Sequence, residues 1–467
     1  MNSPSAVPLR QRLLSAVAAV RHRASGQSRG DQLLRGGLGV AVVKLASIAV
    51  TFGATVVVAR ALGAEEFGVY SFIAALITIA TVLAQFGLAG LVLRETARSL
   101  ATGDYARMLG SWRWSRRIAF FTSSGLVVVG LAVAAILGSS VPALGSKAFF
   151  LGLPIIPVLA FGALRAGTLR GLGKVALALF PELVLLPTAL IGIVATLWLF
   201  APSSLDATWA MAAHLAAAVL SFSAVSLLLR RAQPVEALGN VEPMYDPAWR
   251  KSVVPMAVIM GVPIFFRQID TIMTGFLTTE TEVGLYRVAA QWGWLVTLGS
   301  QIVNVTIQPV IPRLYAAKDL RGLEVIAQRA GIIAILTSLP PLLVFLLFGE
   351  TVISLAFGPT FAGAHLPLAI LSVGHFLGIL TGPSGPLLAF TNYERDVAVV
   401  LALAVLSIIA LTIVAVPYLG IAGAAVAGAI AQFGHNLVLR SVVKRRLGIT
   451  PMKLGRIGKG SRVSPRG

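Results

Sequence analysis

Apolar runs of about 20 residues, separated by short polar or basic connections, recur along nearly the whole chain. A helix of about that length crosses a hydrocarbon core of ~30 Å, so each run predicts a membrane span. The runs place helices at about 36–59, 68–93, 118–138, 148–164, 175–200, 208–229, 252–276, 284–311, 330–349, 366–389, 397–417 and 419–439. The fourth is short and carries Pro154 and Pro157, and TGPSGP at 381–386 should break the tenth. A β-barrel is excluded, because its strands alternate apolar and polar positions, whereas these runs are apolar throughout. The pattern therefore predicts an all-α integral membrane protein with about twelve transmembrane helices.

Within this pattern one stretch occurs twice. GAEEFGVYSF at 63–72 is echoed by TETEVGLYRV at 279–288. Glu66, Gly68, Tyr70, Ala74, Thr81 and Gln85 match Glu282, Gly284, Tyr286, Ala290, Thr297 and Gln301 at a constant offset of 216. Both copies open an even-numbered span, so the chain divides into two pseudo-symmetric six-helix bundles. Residues 36–231 form the first half, 232–251 a linker and 252–440 the second half, flanked by a basic arm at 1–35 and a basic tail at 441–467. Halves with an even number of spans share one orientation and are related by an axis along the membrane normal, an arrangement suited to alternating access. Glu66 and Glu282 are expected as helix-start residues, where a carboxylate favours the positive end of the helix dipole.

Composition agrees with the spans: 57% of the 467 residues are hydrophobic and 12% are charged. The net charge of +20 could suggest nucleic acid, but its distribution points elsewhere. Of the 38 Lys and Arg, 33 fall on one set of alternate connections and the termini, three (Arg60, Lys147, Arg287) on the other, and two (Lys44, Arg267) inside spans. Positive residues are retained in the cytoplasm, which predicts a multi-pass protein with both termini cytoplasmic and basic ends lying on anionic lipid, without a nucleic-acid partner. No cleavable signal peptide is expected in the polar, basic start, and the absence of cysteine rules out disulfides and thiolate metal sites.

Four segments carry a family resemblance. ARALGAEEFGVYSF at 59–72, DTIMTGFLTTETEVGLYRVAAQ at 270–291, FGPTFAGAHLPLAIL at 357–371 and YLGIAGAAVAGAIAQ at 418–432 resemble, in order, segments of bacterial polysaccharide flippases of the multidrug/oligosaccharidyl-lipid/polysaccharide exporter superfamily. The likeness implies a transporter of the inner (plasma) membrane without covalent chemistry. It would flip an undecaprenyl-pyrophosphate-linked oligosaccharide to the outer leaflet for capsule, O-antigen or exopolysaccharide assembly. Glycosyltransferases, a polymerase and a chain-length regulator are its implied partners.

Such a substrate needs a wet cavity with cations for phosphate and amides or hydroxyls for sugar. Lys44 and Arg267 are the cations within spans; Lys44 either binds phosphate or snorkels, and Arg267 either serves the site or pairs with Asp270 one turn on. Gln291, Gln301, Asn304 and Gln308 on the eighth span, and Gln85 on the second, could line the cavity or bond between helices. Asp270, Glu182 and His375 are candidates for gating or for binding a coupling Na+ or H+; no other cofactor and no metal is expected. His214 and His375 also read as packed core residues. RGLGK at 170–174 lacks the spacing of a phosphate loop.

The rival readings are a peptidoglycan-precursor flippase, a cation-coupled multidrug exporter, a non-transporting scaffold and a membrane glycosyltransferase. The last would need clustered catalytic groups in an outward loop, and the longest such connection, about 349–365, offers only Glu350 and a histidine.

Overall fold

The computed structural model describes residues 29–234 and 242–452. Most of the basic arm, the middle of the linker and the tail from residue 453 lie outside the described residues. Helices α1 (Arg29–Gln85), α2 (Leu88–Thr102), α3 (Tyr105–Leu137), α4 (Lys147–Gly171), α5 (Val175–Phe200) and α6 (Ala207–Ala232) precede the linker. After it come α7 (Ala248–Leu277), α8 (Glu280–Gly293), α9 (Leu298–Ile307), α10 (Leu320–Phe357), α11 (Pro359–Ile379) and α12 (Glu394–Leu447). The described residues contain no strand, and nine helices among them are long and apolar enough to cross a membrane.

Two of these helices are too long for one crossing. At 1.5 Å per residue the 57 residues of α1 would reach about 86 Å, and α12 has 54. Each folds back at a glycine, α1 at Gly63 (φ 76°, ψ 177°) and α12 at Gly420 (φ 56°, ψ −141°), in conformations that a Cβ resists. Counting each as two crossings and α8–α9 as one is consistent with twelve. The fourth span breaks at Leu153–Pro154 and the tenth ends at Ile379, where the sequence places its prolines. Pro181 opens a π-helical turn, Pro181–Leu185, inside α5. Pro367 stands in the first turn of a helix, where it removes no needed donor and kinks nothing.

The repeated motif lies at the seam between the halves. A Cβ on Gly68 would stand 1.7 Å from the Glu280 carbonyl oxygen, and one on Gly284 would stand 2.1 Å from that of Ala64. Residues 64 and 280, like 68 and 284, are repeat mates, so the contact is reciprocal in the manner of a two-fold interface. Only glycine permits this approach, which answers why the motif keeps one in each copy. Its other members act locally. The Tyr70 hydroxyl and His214 Nδ1 lie 3.1 Å apart, the Tyr286 hydroxyl donates to Asp270 Oδ2 at 3.1 Å, and Glu66 accepts the Ala207 backbone N–H that opens α6. Glu282 completes a capping box with Thr279.

At the opposite end the linker docks on α3. Met244 N–H donates to the Ala106 carbonyl at 3.0 Å, and the Arg107 guanidinium bridges Glu95 (2.8 Å) and Asp246 (2.6 Å). Glu95 lies past the second span and is 1% exposed. Burial pushes its carboxyl up, but hydrogen bonds from Arg107 and Arg94 outweigh this and hold it below the usual carboxylate range. A depressed carboxyl contributes stability above its unfolded value of about 4.3, and that contribution fades as pH falls through the lower folded value. Thermal melts are therefore expected to show an acid-side loss below about pH 4, and Glu95→Gln should remove that loss while costing on the order of 1–3 kcal/mol near neutrality. Identical acid profiles for the two proteins would exclude the bridge as a stabilising contact.

Candidate substrate cavity

The eighth span carries the site on one face. Arg287, Gln291, Trp294, Leu298 and Gln301 follow a 4-3-4-3 spacing and line a cavity of about 260 Å³. The span is continuous except for a 3-10 turn, Trp294–Thr297, which tightens it beside the cavity. Opposite this stripe stand Arg267, Gln268 and Asp270 of α7, with His375 of α11 and Gln432 of α12. The first half contributes α1 alone, through Ser47, Ile48, Thr51 and Phe52. A second cavity of about 180 Å³ shares Trp294, Gln301, His375 and Gln432 and adds Asn304 and Asn436, so amide groups continue along α9.

Two cations face this space. Arg267 lies 4.2 Å above the Trp294 ring, a cation–π contact, and Arg287 donates to Gln268 Oε1 at 3.1 Å. The Arg267–Asp270 pairing that the sequence allows does not form: the four ion pairs among the described residues involve neither side chain. Asp270 instead accepts from the Tyr286 hydroxyl and, at 2.6 Å, from the Thr271 backbone N–H. Hydrogen bonds thus serve the carboxylate while both guanidiniums keep donors for another partner. His375 is 7% exposed and packs on Trp294 with ring centroids 5.4 Å apart. Its Nδ1 has no protein partner, an orphan that buried polar atoms rarely tolerate without water or ligand. Gln291 donates to Thr55 Oγ1 at 2.6 Å and so ties α8 to α1 across the seam.

The structure gathers Arg267, Gln291, Gln301, Asp270 and His375 at the first cavity and Asn304 at the second. Four other candidates lie elsewhere. Lys44 is exposed one turn before Ser47, Gln85 is half-buried where α1 ends, and Gln308 is half-buried just past α9. Glu182 occupies the π-helical turn of α5, in a separate crevice beside Ser221 and Phe222. Sequence reasoning missed Arg287, Gln268, Ser47, Thr51, Gln432 and Asn436. The signal for Arg287 was its spacing of four from Gln291, masked by its nearness to the turn at Thr279.

The fold is that of α-helical membrane transporters. It superposes on a multidrug resistance MATE family transporter of the MOP superfamily in an inward-facing conformation (TM-score 0.71, 13% identity, 85% of this chain and 94% of that one). It likewise superposes on the lipid II flippase MurJ in an inward closed conformation (TM-score 0.67, 13% identity, 87% of each chain). Residues 33–317 match the family model of polysaccharide biosynthesis proteins, and the chain belongs to that family. A curated relative, the probable low-salt glycan biosynthesis flippase Agl15 of Haloferax volcanii, is 25% identical over 329 residues, 67% of this chain. The match spans 63% of that relative's length.

Proposed function

We propose that this protein is a flippase that carries an undecaprenyl-pyrophosphate-linked oligosaccharide from the cytoplasmic to the outer leaflet of the bacterial inner membrane by alternating access, for cell-surface polysaccharide assembly. The observation that carries this reading is the cavity holding two guanidiniums against one carboxylate, surrounded by amides. Arginine suits a diphosphate through its planar fork of donors, and the amides suit sugar hydroxyls. The family and the flippase relative favour the same substrate class. With the arginine-rich end in the cytoplasm, the Gly63 and Gly420 turns face outward.

Volume adds a requirement. Ligand pockets span ~300–1,000 Å³, so a cavity of about 260 Å³ does not admit a whole glycan, and loading must part the halves. Asp270 is the acid in the cavity and is the proposed site for a coupling Na+ or H+. A drug cation is disfavoured by the net positive lining. A peptidoglycan precursor would present the same diphosphate, and the family match is what favours a polysaccharide unit. The glycosyltransferases, polymerase and chain-length regulator of that assembly line would be its partners.

The test is leaflet assignment of the lipid-linked oligosaccharide after depletion of the protein, using a membrane-impermeant glycan probe on spheroplasts. Accumulation on the cytoplasmic face is expected. Normal outer-leaflet delivery in depleted cells would overturn the reading.

A further inference from the structure

A second basic chamber lies in the first half, separate from the central cavity. It encloses about 360 Å³ between the start of α3 and the ends of α4 and α6. Arg113, Arg116, Arg165 and Arg230 line it, and among the described residues no acidic one does. The nearby acids are engaged elsewhere, Glu95 with Arg94 and Arg107 and Asp246 with Arg107. None of the four ion pairs among the described residues involves a chamber arginine. Arg165 feels Arg116 and Arg230 as like charges, so the cluster repels itself unless an anion enters.

The chamber is also shaped for a ligand with an apolar part. Arg165 donates to Ser226 Oγ and lies 4.1 Å above the Phe222 ring, which holds its guanidinium in place. Ser115 is fully buried, lines the chamber and has no hydrogen-bond partner for its Oγ. Val92, Leu109, Phe161 and Leu164 supply an apolar wall. A chamber with four guanidiniums, an orphan hydroxyl and an apolar wall matches one chemistry: a phosphate group carried on a lipid.

We propose that this chamber binds the phosphate headgroup of a membrane lipid, with Arg165 as its inner donor, Arg113, Arg116 and Arg230 at its exposed rim and Ser115 Oγ bonding a phosphate oxygen. The lipid is either a polyprenyl diphosphate, for which the chamber is a docking point apart from the central cavity, or an anionic phospholipid that neutralises the cluster. The claim concerns binding and stands whether or not the protein flips lipids.

The experiment uses the purified full-length protein in zwitterionic nanodiscs, titrated in parallel with a polyprenyl diphosphate, with phosphatidylglycerol and with inorganic pyrophosphate. Wild type, Arg165→Gln/Arg230→Gln and Arg113→Gln/Arg116→Gln are compared, with Arg267→Gln reporting on the central cavity. Losing two charge-assisted contacts should weaken one lipid's binding at this chamber by on the order of 100-fold or more in either double variant, while the Arg267→Gln protein retains that class of binding. Whichever lipid shows this dependence is the ligand. Arg113 and Arg116 are both exposed, whereas Arg165 is half-buried, so the second double variant still reports if the first misfolds. Unchanged lipid affinity in both double variants, or arginine-dependent binding of inorganic pyrophosphate alone, would overturn the proposal.

Discussion

Alanine in place of Arg267 should slow transfer of the lipid-linked headgroup by about 10- to 100-fold while leaving membrane insertion intact, the size expected when one charge-assisted contact is lost. The side chain enters the cavity free of any ion pair and is positioned by the Trp294 ring 4.2 Å beneath it. Its removal takes away the proposed phosphate donor without orphaning a structural carboxylate, because Asp270 is already served by Tyr286 and Thr271. Arg267→Lys should fall between, keeping the charge but losing the planar stack and fork. Lys44→Ala should transfer at close to the wild-type rate, since that side chain stands outside the cavity. The readouts are the leaflet assay and membrane fractionation. A full rate for Arg267→Ala beside a deficit for Lys44→Ala would move the phosphate site to the start of α1.

The contrast between these two cations shows what the sequence reveals and what it withholds. The length of an apolar run is set by the bilayer, so the runs could be read as spans, and the turns at Gly63 and Gly420 fell within a few residues of their expected positions. The direction a side chain faces is another matter. A helix that is apolar all round has no stripe to set its rotation, so nothing in the run around Lys44 said which way it points. Spans with several polar groups were more legible. Gln291, Gln301 and Asn304 reach the cavities, whereas Gln308 lies beyond the end of α9.

The repeat misled at Gln85. Its mate Gln301 lines the cavity, so a matching role was a fair expectation. Yet α1 ends at Gln85, where Phe86 and Gly87 take positive φ, and Gly87 packs directly on the backbone of Val253 and Met256 in α7. At Gln85 the backbones of the two halves meet, whereas Gln301 borders a cavity. The scaffold repeats, while the lining of the central cavity comes from the second half, with α1 crossing the seam to it.

Valine at both Gly68 and Gly284 should open the Gly63 end of that seam. The Cβ positions fall 1.7 Å and 2.1 Å from carbonyl oxygens of helical backbone, which cannot yield as a side chain would, so α1 and α8 must separate. Overpacking costs about 1–3 kcal/mol, a shift of roughly 5- to 150-fold from sealed to open. Other ties across the seam include Gln291 to Thr55, Arg60 to the Leu355 carbonyl, Phe67 against Phe361 at 6.0 Å and Phe72 against Phe276 at 5.2 Å. None of these can compensate for helices held apart. The chain has no cysteine, so Ala290→Cys, a cavity-lining position, provides a single reporter thiol. In the double-valine background a membrane-impermeant maleimide added from outside should label it faster than in the parent, and transfer of lipid-linked oligosaccharide should fall because the outer end no longer reseals. Unaltered labelling in correctly inserted protein would mean that this glycine pair does not govern opening, and the gate would have to be sought in the aromatic contacts around Phe67 and Phe361.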